Sequence, residues 1–138
     1  MNVPINYMAV IVAAIAIFIL GSLWYGPIFG RNWREMMGMR REEMGQGSMV
    51  GPIIISLIGA YIMALIFDYA IIFSNFYLDK SGVGAALRVG LLVWLGFVVP
   101  ITIRRVLWEK QSLMLWLFNE TYNLFILLVL GFVLAMWQ

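Results

Sequence analysis

Glu120 stands in the stretch LFNETYNLF, with Asn119, Tyr122 and Asn123 beside it inside an otherwise apolar run. A carboxyl group in such surroundings can bind a proton or a cation, or it can neutralise a neighbouring base. Ionisable groups within long apolar segments are rare enough to be functional candidates from the outset. On a helix Trp116, Glu120 and Asn123 share one face, a polar strip that must point at protein or water. Asp68 and Arg88 are the other two charges embedded in apolar sequence, and Arg104 and Arg105 lie at the end of another such run.

Other chemistry finds little footing. The chain has no Cys and no His, which removes thiol chemistry, disulfides, the usual haem and zinc ligand and the commonest general base. It has no glycine loop that would cradle phosphate, no nucleophile paired with a base and no cluster of metal ligands. The expectation is a non-enzymatic protein with no cofactor and no bound metal. Ten Met residues admit a soft-metal path, but those near residues 36–44 are better explained as packing at an interface.

The elements that must position Glu120 are transmembrane helices. The 138 residues are 64% hydrophobic and 12% charged, with mean hydropathy +0.95. Soluble domains are about 45–50% apolar and about 25% charged. A hydrocarbon core of about 30 Å takes about 20 apolar residues in a helix. Four stretches qualify, at about 5–28, 52–73, 85–107 and 112–137. The predicted fold is an all-α integral membrane bundle of four helices, up-down, forming one domain over 1–138. The first stretch is read as a retained span, because no Lys or Arg precedes it and it is too long for a signal-peptide core.

Gly51-Pro52 suits a helix start, and Ser81 is a candidate N-cap for the third span. Pro100 should kink that span. Gly59-Ala60 with Ala64, and Gly90 with Gly96, are candidate points of close helix approach. Gly26 and Gly30 have the same spacing, but beside Pro27 they fit helix termination better.

Charge sets the orientation. Arg31, Arg34, Arg40 and Arg41 fall in the first loop, and Arg104, Arg105 and Lys110 in the third; only Lys80 and Arg88 lie at the second. That bias places the first and third loops in the cytoplasm and both termini outside, which also explains the basic residues without a nucleic-acid partner. Trp24, Tyr25, Trp33, Trp108 and Trp116 then fall near the cytoplasmic face and Trp137 near the outer edge, as an aromatic belt. Residues 31–44 space Trp33, Met36, Met37 and Met44 as one face of a helix. They are either an interfacial helix, with Arg31, Arg34, Arg40 and Arg41 on anionic headgroups, or a solvated loop.

Depth in the membrane suggests two charge pairs: Asp68 with Arg88, and Glu120 with Arg104 or Arg105. Burying a satisfied pair costs far less than burying a lone charge. For Asp68 the structural pairing is the better reading; for Glu120 pairing and a working carboxylate are both open. Trp24-Tyr25-Gly26 and Trp94-Leu95-Gly96 match 70 positions apart, as do Arg34 and Arg104. The match is either a parallel duplication of a helical hairpin or chance.

The pattern Gly21-x-x-Trp24-Tyr25-Gly26-Pro27-x-Phe29-Gly30, followed by Trp33, resembles the opening of the small membrane-protein family catalogued as domain of unknown function 1761. The stretch Gly90 to Pro100, Glu109, and Asn119 with Tyr122 and Asn123 are similar to that family's later spans. The resemblance covers nearly the whole chain, and implies a four-helix membrane protein of bacteria and some fungi. It carries no activity, and Glu120 stands where a small residue is expected.

Two functions follow from these expectations. One is a protein of the bacterial cytoplasmic membrane acting through helix contacts, as an oligomer or as an accessory or assembly subunit. The other is a small oligomeric transporter or channel using Glu120. The first is favoured at this stage, because the charges can pair among themselves.

Overall fold

The computed structural model describes residues 4–38, 50–78 and 82–136, which fold into helices with no strand among them. Four helical segments are long and apolar enough to cross a membrane: Tyr7–Ile28, Val50–Leu78, Val83–Leu107 and Leu113–Met136. We number the helices α1 (Tyr7–Leu23), α2 (Gly30–Met37), α3 (Val50–Leu78), α4 (Val83–Val93), α5 (Val99–Thr102), α6 (Arg104–Leu107) and α7 (Leu113–Met136).

Local chemistry sets the ends. Asn6 caps α1 by accepting the Ala9 N–H on its side chain at 3.2 Å, and Ser112 caps α7 by accepting the Leu115 N–H at 3.0 Å. α4 starts after Gly82, whose φ of 96° favours glycine, with no side-chain cap; the proposed cap Ser81 lies outside the described residues. The second span runs five residues past the expected end at Phe73. Residues 74–78 add polar groups but no Gly or Pro, so helical hydrogen bonding continues where hydropathy falls. At 1.5 Å per residue α3 is about 44 Å long, longer than the roughly 30 Å hydrocarbon core.

Two wide helical turns interrupt the first and third spans. At Trp24–Ile28 and at Trp94–Val98 the backbone takes π-helical form. The Phe29 N–H reaches back five residues to the Trp24 carbonyl at 3.0 Å, and the Val99 N–H does the same to Trp94. Each turn lies at a proline, Pro27 within the first and Pro100 just after the second. Proline removes one N–H and crowds the carbonyl four residues back; an inserted π turn relieves both. The kink expected at Pro100 is therefore spread over the preceding turn. The two turns begin 70 positions apart, at the offset of the sequence match, but they differ: the first is broken at Gly26 and holds Pro27, whereas the second has no proline inside it.

The packing follows the same two halves. α1 lies along α3 and α4 along α7, with α1 on α7 and α3 on α4 completing the bundle. A stripe of small residues on α1, Ala9, Ala13 and Ala14, is buried, as are Ala60 and Ala64 on α3. Between α4 and α7 the approach is closer. A Cβ added at Gly90 would lie 3.0 Å from the Leu127 carbonyl oxygen, and one at Gly131 would lie 2.9 Å from that of Ala86. Such small-residue spacing is how apolar helices gain contact where lipid removes the hydrophobic drive between them. Gly90 is thus a packing point as expected, whereas Gly96 and Gly59 have open space at the Cβ position. Gly131 is the partner that the expectation missed. Ile11, Ile15 and Ile19 stand exposed on α1, and Ile54, Ile58, Ile62 and Ile66 on α3, an apolar exterior of the kind that lipid covers.

α2 is amphipathic but shorter than the 31–44 expected. It ends at Gly38, whose left-handed φ of 70° closes the helix. Met44, Arg40 and Arg41 lie outside the described residues, as do Lys80 and Trp137. Arg31 on the exposed side of α2 pairs with Glu35 at 3.4 Å, a surface contact of little energetic weight.

Candidate functional site

Among the described residues two charged side chains are buried, Asp68 at 2% and Glu120 at 3% exposure. Neither expected pair of bases joins them. Arg88 is exposed on α4 and makes no ion pair with Asp68; Arg104 and Arg105 are exposed on α6 and make none with Glu120. The reason is azimuth. Matched depth brings charges to one level, but these arginines leave their helices on the outer side.

Glu120 is instead held by neutral groups. Thr102 Oγ1 lies 2.6 Å from Glu120 Oε1, and Asn123 Nδ2 donates to the same oxygen at 3.2 Å. Trp116 Nε1 donates to Thr102 Oγ1 at 3.1 Å. The predicted strip of Trp116, Glu120 and Asn123 is therefore real, and it closes on Thr102. Thr102 has one proton to give, and its other acceptors are the carbonyls of Val98 at 2.9 Å and Val99 at 3.4 Å. An ionised carboxylate is the stronger acceptor. The second carboxyl oxygen, Glu120 Oε2, is buried and has no hydrogen-bond partner among the described residues.

The carboxyl group sits between two openings. A polar cavity of about 420 Å³ is lined by Ile101, Thr102, Arg104, Arg105, Glu109 and Gln111. Its Thr102 wall separates it from Glu120 by one side chain. On the other side a groove of about 670 Å³ runs between α1, α3 and α7, with Tyr25, Tyr122 and Asn123 among its lining residues. Asn123 bridges that groove to Glu120. The series Thr102, Glu120, Asn123 is thus a hydrogen-bonded bridge from one opening to the other.

The glycine-aromatic motif turns out to be part of this site. Tyr25 donates its hydroxyl to Asn119 Oδ1 at 2.7 Å, across 94 positions of sequence. Its ring packs on Tyr122 at 4.9 Å, Trp33 at 5.2 Å and Phe118 at 5.9 Å between centroids. Trp24 packs on Phe29, Phe118, Tyr122 and Phe125. So the belt expected from Trp24, Tyr25 and Trp33 is turned inward onto α7, while Trp108 is 82% exposed.

Each glycine of the motif has its own task. Gly21 leaves room for Tyr122, whose hydroxyl would be 2.5 Å from an added Cβ. Gly26 takes φ −113° and ψ −107° at the break in the turn. Gly30 passes so near the Tyr25 carbonyl oxygen that an added Cβ would be 2.7 Å from it. At Gly26 and Gly30 the chain turns from α1 into α2, in line with termination over close helix packing.

Sequence reasoning missed Thr102. A lone threonine in an apolar helix ordinarily satisfies itself on the carbonyl four residues back, so composition does not mark it. The Tyr25 contact gives a direct test. Tyr25→Phe removes one hydroxyl from a half-buried pair and should cost about 1 kcal/mol, read as a fall of a few degrees in thermal denaturation in detergent. An unchanged midpoint would mean that the bond does not hold α1 to α7.

No curated protein and no solved structure matches the chain. A family described as "Protein of unknown function (DUF1761)" matches residues 8–135.

Proposed function

The chain belongs to the DUF1761 family, a family of proteins of unknown function, and from the geometry of its buried carboxyl group we propose that it is a small membrane carrier of protons. The observation that carries this reading is Glu120: buried, free of any ion pair among the described residues, and bridged by Thr102 and Asn123 to openings on either side. A carboxylate retained only for packing would find a base, because burying a lone charge is costly. Leaving Oε2 without a partner costs on the order of 1–3 kcal/mol, and more while ionised. A site that binds and releases a proton gives a use for that cost.

Charge distribution supports the orientation. Seven of the nine basic residues in the first and third loops favour the cytoplasmic side for those loops, with an up-down bundle and both termini outside. The polar cavity at Arg104 and Arg105 then faces the cytoplasm. A proton reaching Glu120 through Thr102 would discharge the carboxylate, and the Thr102 hydroxyl would turn to the Val98 carbonyl. The bridge from α7 to α5 weakens as a result. The short helices α5 and α6, separated at Ile103 and preceded by the π turn, are the compliant part of the wall.

Helix contact with another subunit is the second reading. The open face of α3, where Ile54, Ile55 and Ile58 are exposed, favours it, as lipid or another protein must cover that face. Native mass spectrometry of gently extracted protein separates the two: a stoichiometric foreign subunit favours an accessory role, and a homo-oligomer or monomer favours the carrier.

Infrared titration of the protein in lipid tests the carboxyl assignment. Lowering the pH should produce a carboxylic-acid carbonyl band that is missing from Glu120→Gln. Identical difference spectra for the two proteins would remove the basis of the proposal.

A further inference from the structure

We infer that the groove between α1, α3 and α7 is a binding site for a single-chain amphiphile with an uncharged, hydroxyl-bearing head. The volume of about 670 Å³ falls in the range of small-molecule sites, about 300–1,000 Å³. Its polarity is graded along its length. At one end Ser22, Tyr25, Ser56, Tyr122 and Asn123 supply hydroxyl and amide groups; at the other Ile17, Ala60, Met63 and Leu127 make an apolar wall. A molecule filling it needs a hydrogen-bonding head and a hydrocarbon tail.

Charge narrows the class. Among the described residues no Lys, Arg, Asp or Glu lines the groove, so against this lining a phosphate or ammonium head would be desolvated without a counter-charge, which is costly. A glycerol head with one acyl chain has matching chemistry: two hydroxyls for Asn123 and the serines, and a tail for the isoleucine and leucine wall. Access is lateral. Pro52, Ile53, Ser56 and Gly59 are exposed on α3, so a ligand enters from the bilayer.

Gly59 makes the space. An added Cβ there meets nothing within 4 Å, and Gly59 lines the groove. A large side chain at that position fills the site without touching the Tyr25–Asn119 or Thr102–Glu120 contacts. The inference does not rest on proton transport by Glu120; the groove can hold an amphiphile whether or not that carboxyl titrates.

The absence of native cysteine makes a clean experiment. Full-length Ser56→Cys and Ile55→Cys proteins, the second 72% exposed and off the groove, are reconstituted and alkylated with a membrane-permeant maleimide. Monoolein is the probe, and 1-palmitoyl-lysophosphatidylglycerol the charged comparison. Monoolein should slow alkylation of Ser56→Cys by about tenfold when bound at saturation, leave Ile55→Cys unchanged, and lose its effect when Gly59→Phe is added. Thermal denaturation of the Gly59→Phe protein checks that it is folded; should it not be, protection of Ser56→Cys against Ile55→Cys alone decides. Equal protection at both positions, none at either, or equal protection by the lysophospholipid overturns the proposal. So does protection that rises with protein density in the absence of monoolein, which would assign the groove to a second copy.

Discussion

Gly131→Val is expected to force α4 away from α7 and lower the thermal stability of the bundle in detergent. The first atom of any added side chain would sit 2.9 Å from the Ala86 carbonyl oxygen and 3.1 Å from its carbon. These are backbone atoms, so no rotamer change relieves the contact; the helices must move apart. That movement would also open the reciprocal approach of Gly90 to the Leu127 carbonyl. Leu130 and Leu134, both wholly buried, lie on the same helix and would lose their packing. Overpacking of a close core costs typically about 1–3 kcal/mol, and a clash against the backbone of a facing helix belongs at the upper end or beyond. Against a total stability of about 5–15 kcal/mol the expected fall in the denaturation midpoint is on the order of 10 °C. Gly59→Val is the control, since its Cβ enters open space; it should change the midpoint little. Wild-type stability for Gly131→Val would show that the helices do not approach as closely as described.

Glu120→Gln is expected to remove proton movement while leaving the protein folded. Glutamine keeps the shape of the side chain and an oxygen that accepts from Thr102 and Asn123. What it loses is the ability to gain and release a proton. Because Oε2 has no partner among the described residues, replacing an ionisable group there with a neutral amide leaves the denaturation midpoint unchanged or raises it. An ion-paired structural carboxylate behaves in the opposite way, since removing one member strands the other, at about 3–5 kcal/mol. Thermal stability therefore distinguishes the roles before any flux is measured. A marked loss of stability in Glu120→Gln would point to a purely architectural residue.

Much of this fold was legible in the chain, because a bilayer imposes strong constraints on composition and length. The four spans follow from runs of apolar residues, whereas the caps at Asn6 and Ser112 were not read from the sequence. The polar face of Trp116, Glu120 and Asn123 followed from helical spacing alone. The pairing of Glu120 with arginine did not hold, because sequence gives depth along a helix but not the direction a residue faces relative to other helices. The union of Tyr25 with Asn119 was hidden for a related reason: 94 positions separate them, and only the packing of α1 against α7 joins the glycine-aromatic motif to the polar strip. Both members of the match at offset 70 carry a π turn beginning at tryptophan, which leaves duplication and chance both open. Gly131 carried no signal because many glycines occur in apolar helices, and only the partner backbone distinguishes a packing glycine from an idle one.

The central claim is that Glu120 carries a proton between the two openings. Proteoliposomes loaded with a pH-sensitive dye and subjected to a pH gradient test it most directly. Wild-type protein should dissipate the gradient faster than protein-free vesicles, and Glu120→Gln should reduce the protein-dependent rate by at least about tenfold at equal reconstitution. Equal rates for the two proteins, or a wild-type rate no greater than that of empty vesicles, would contradict the account.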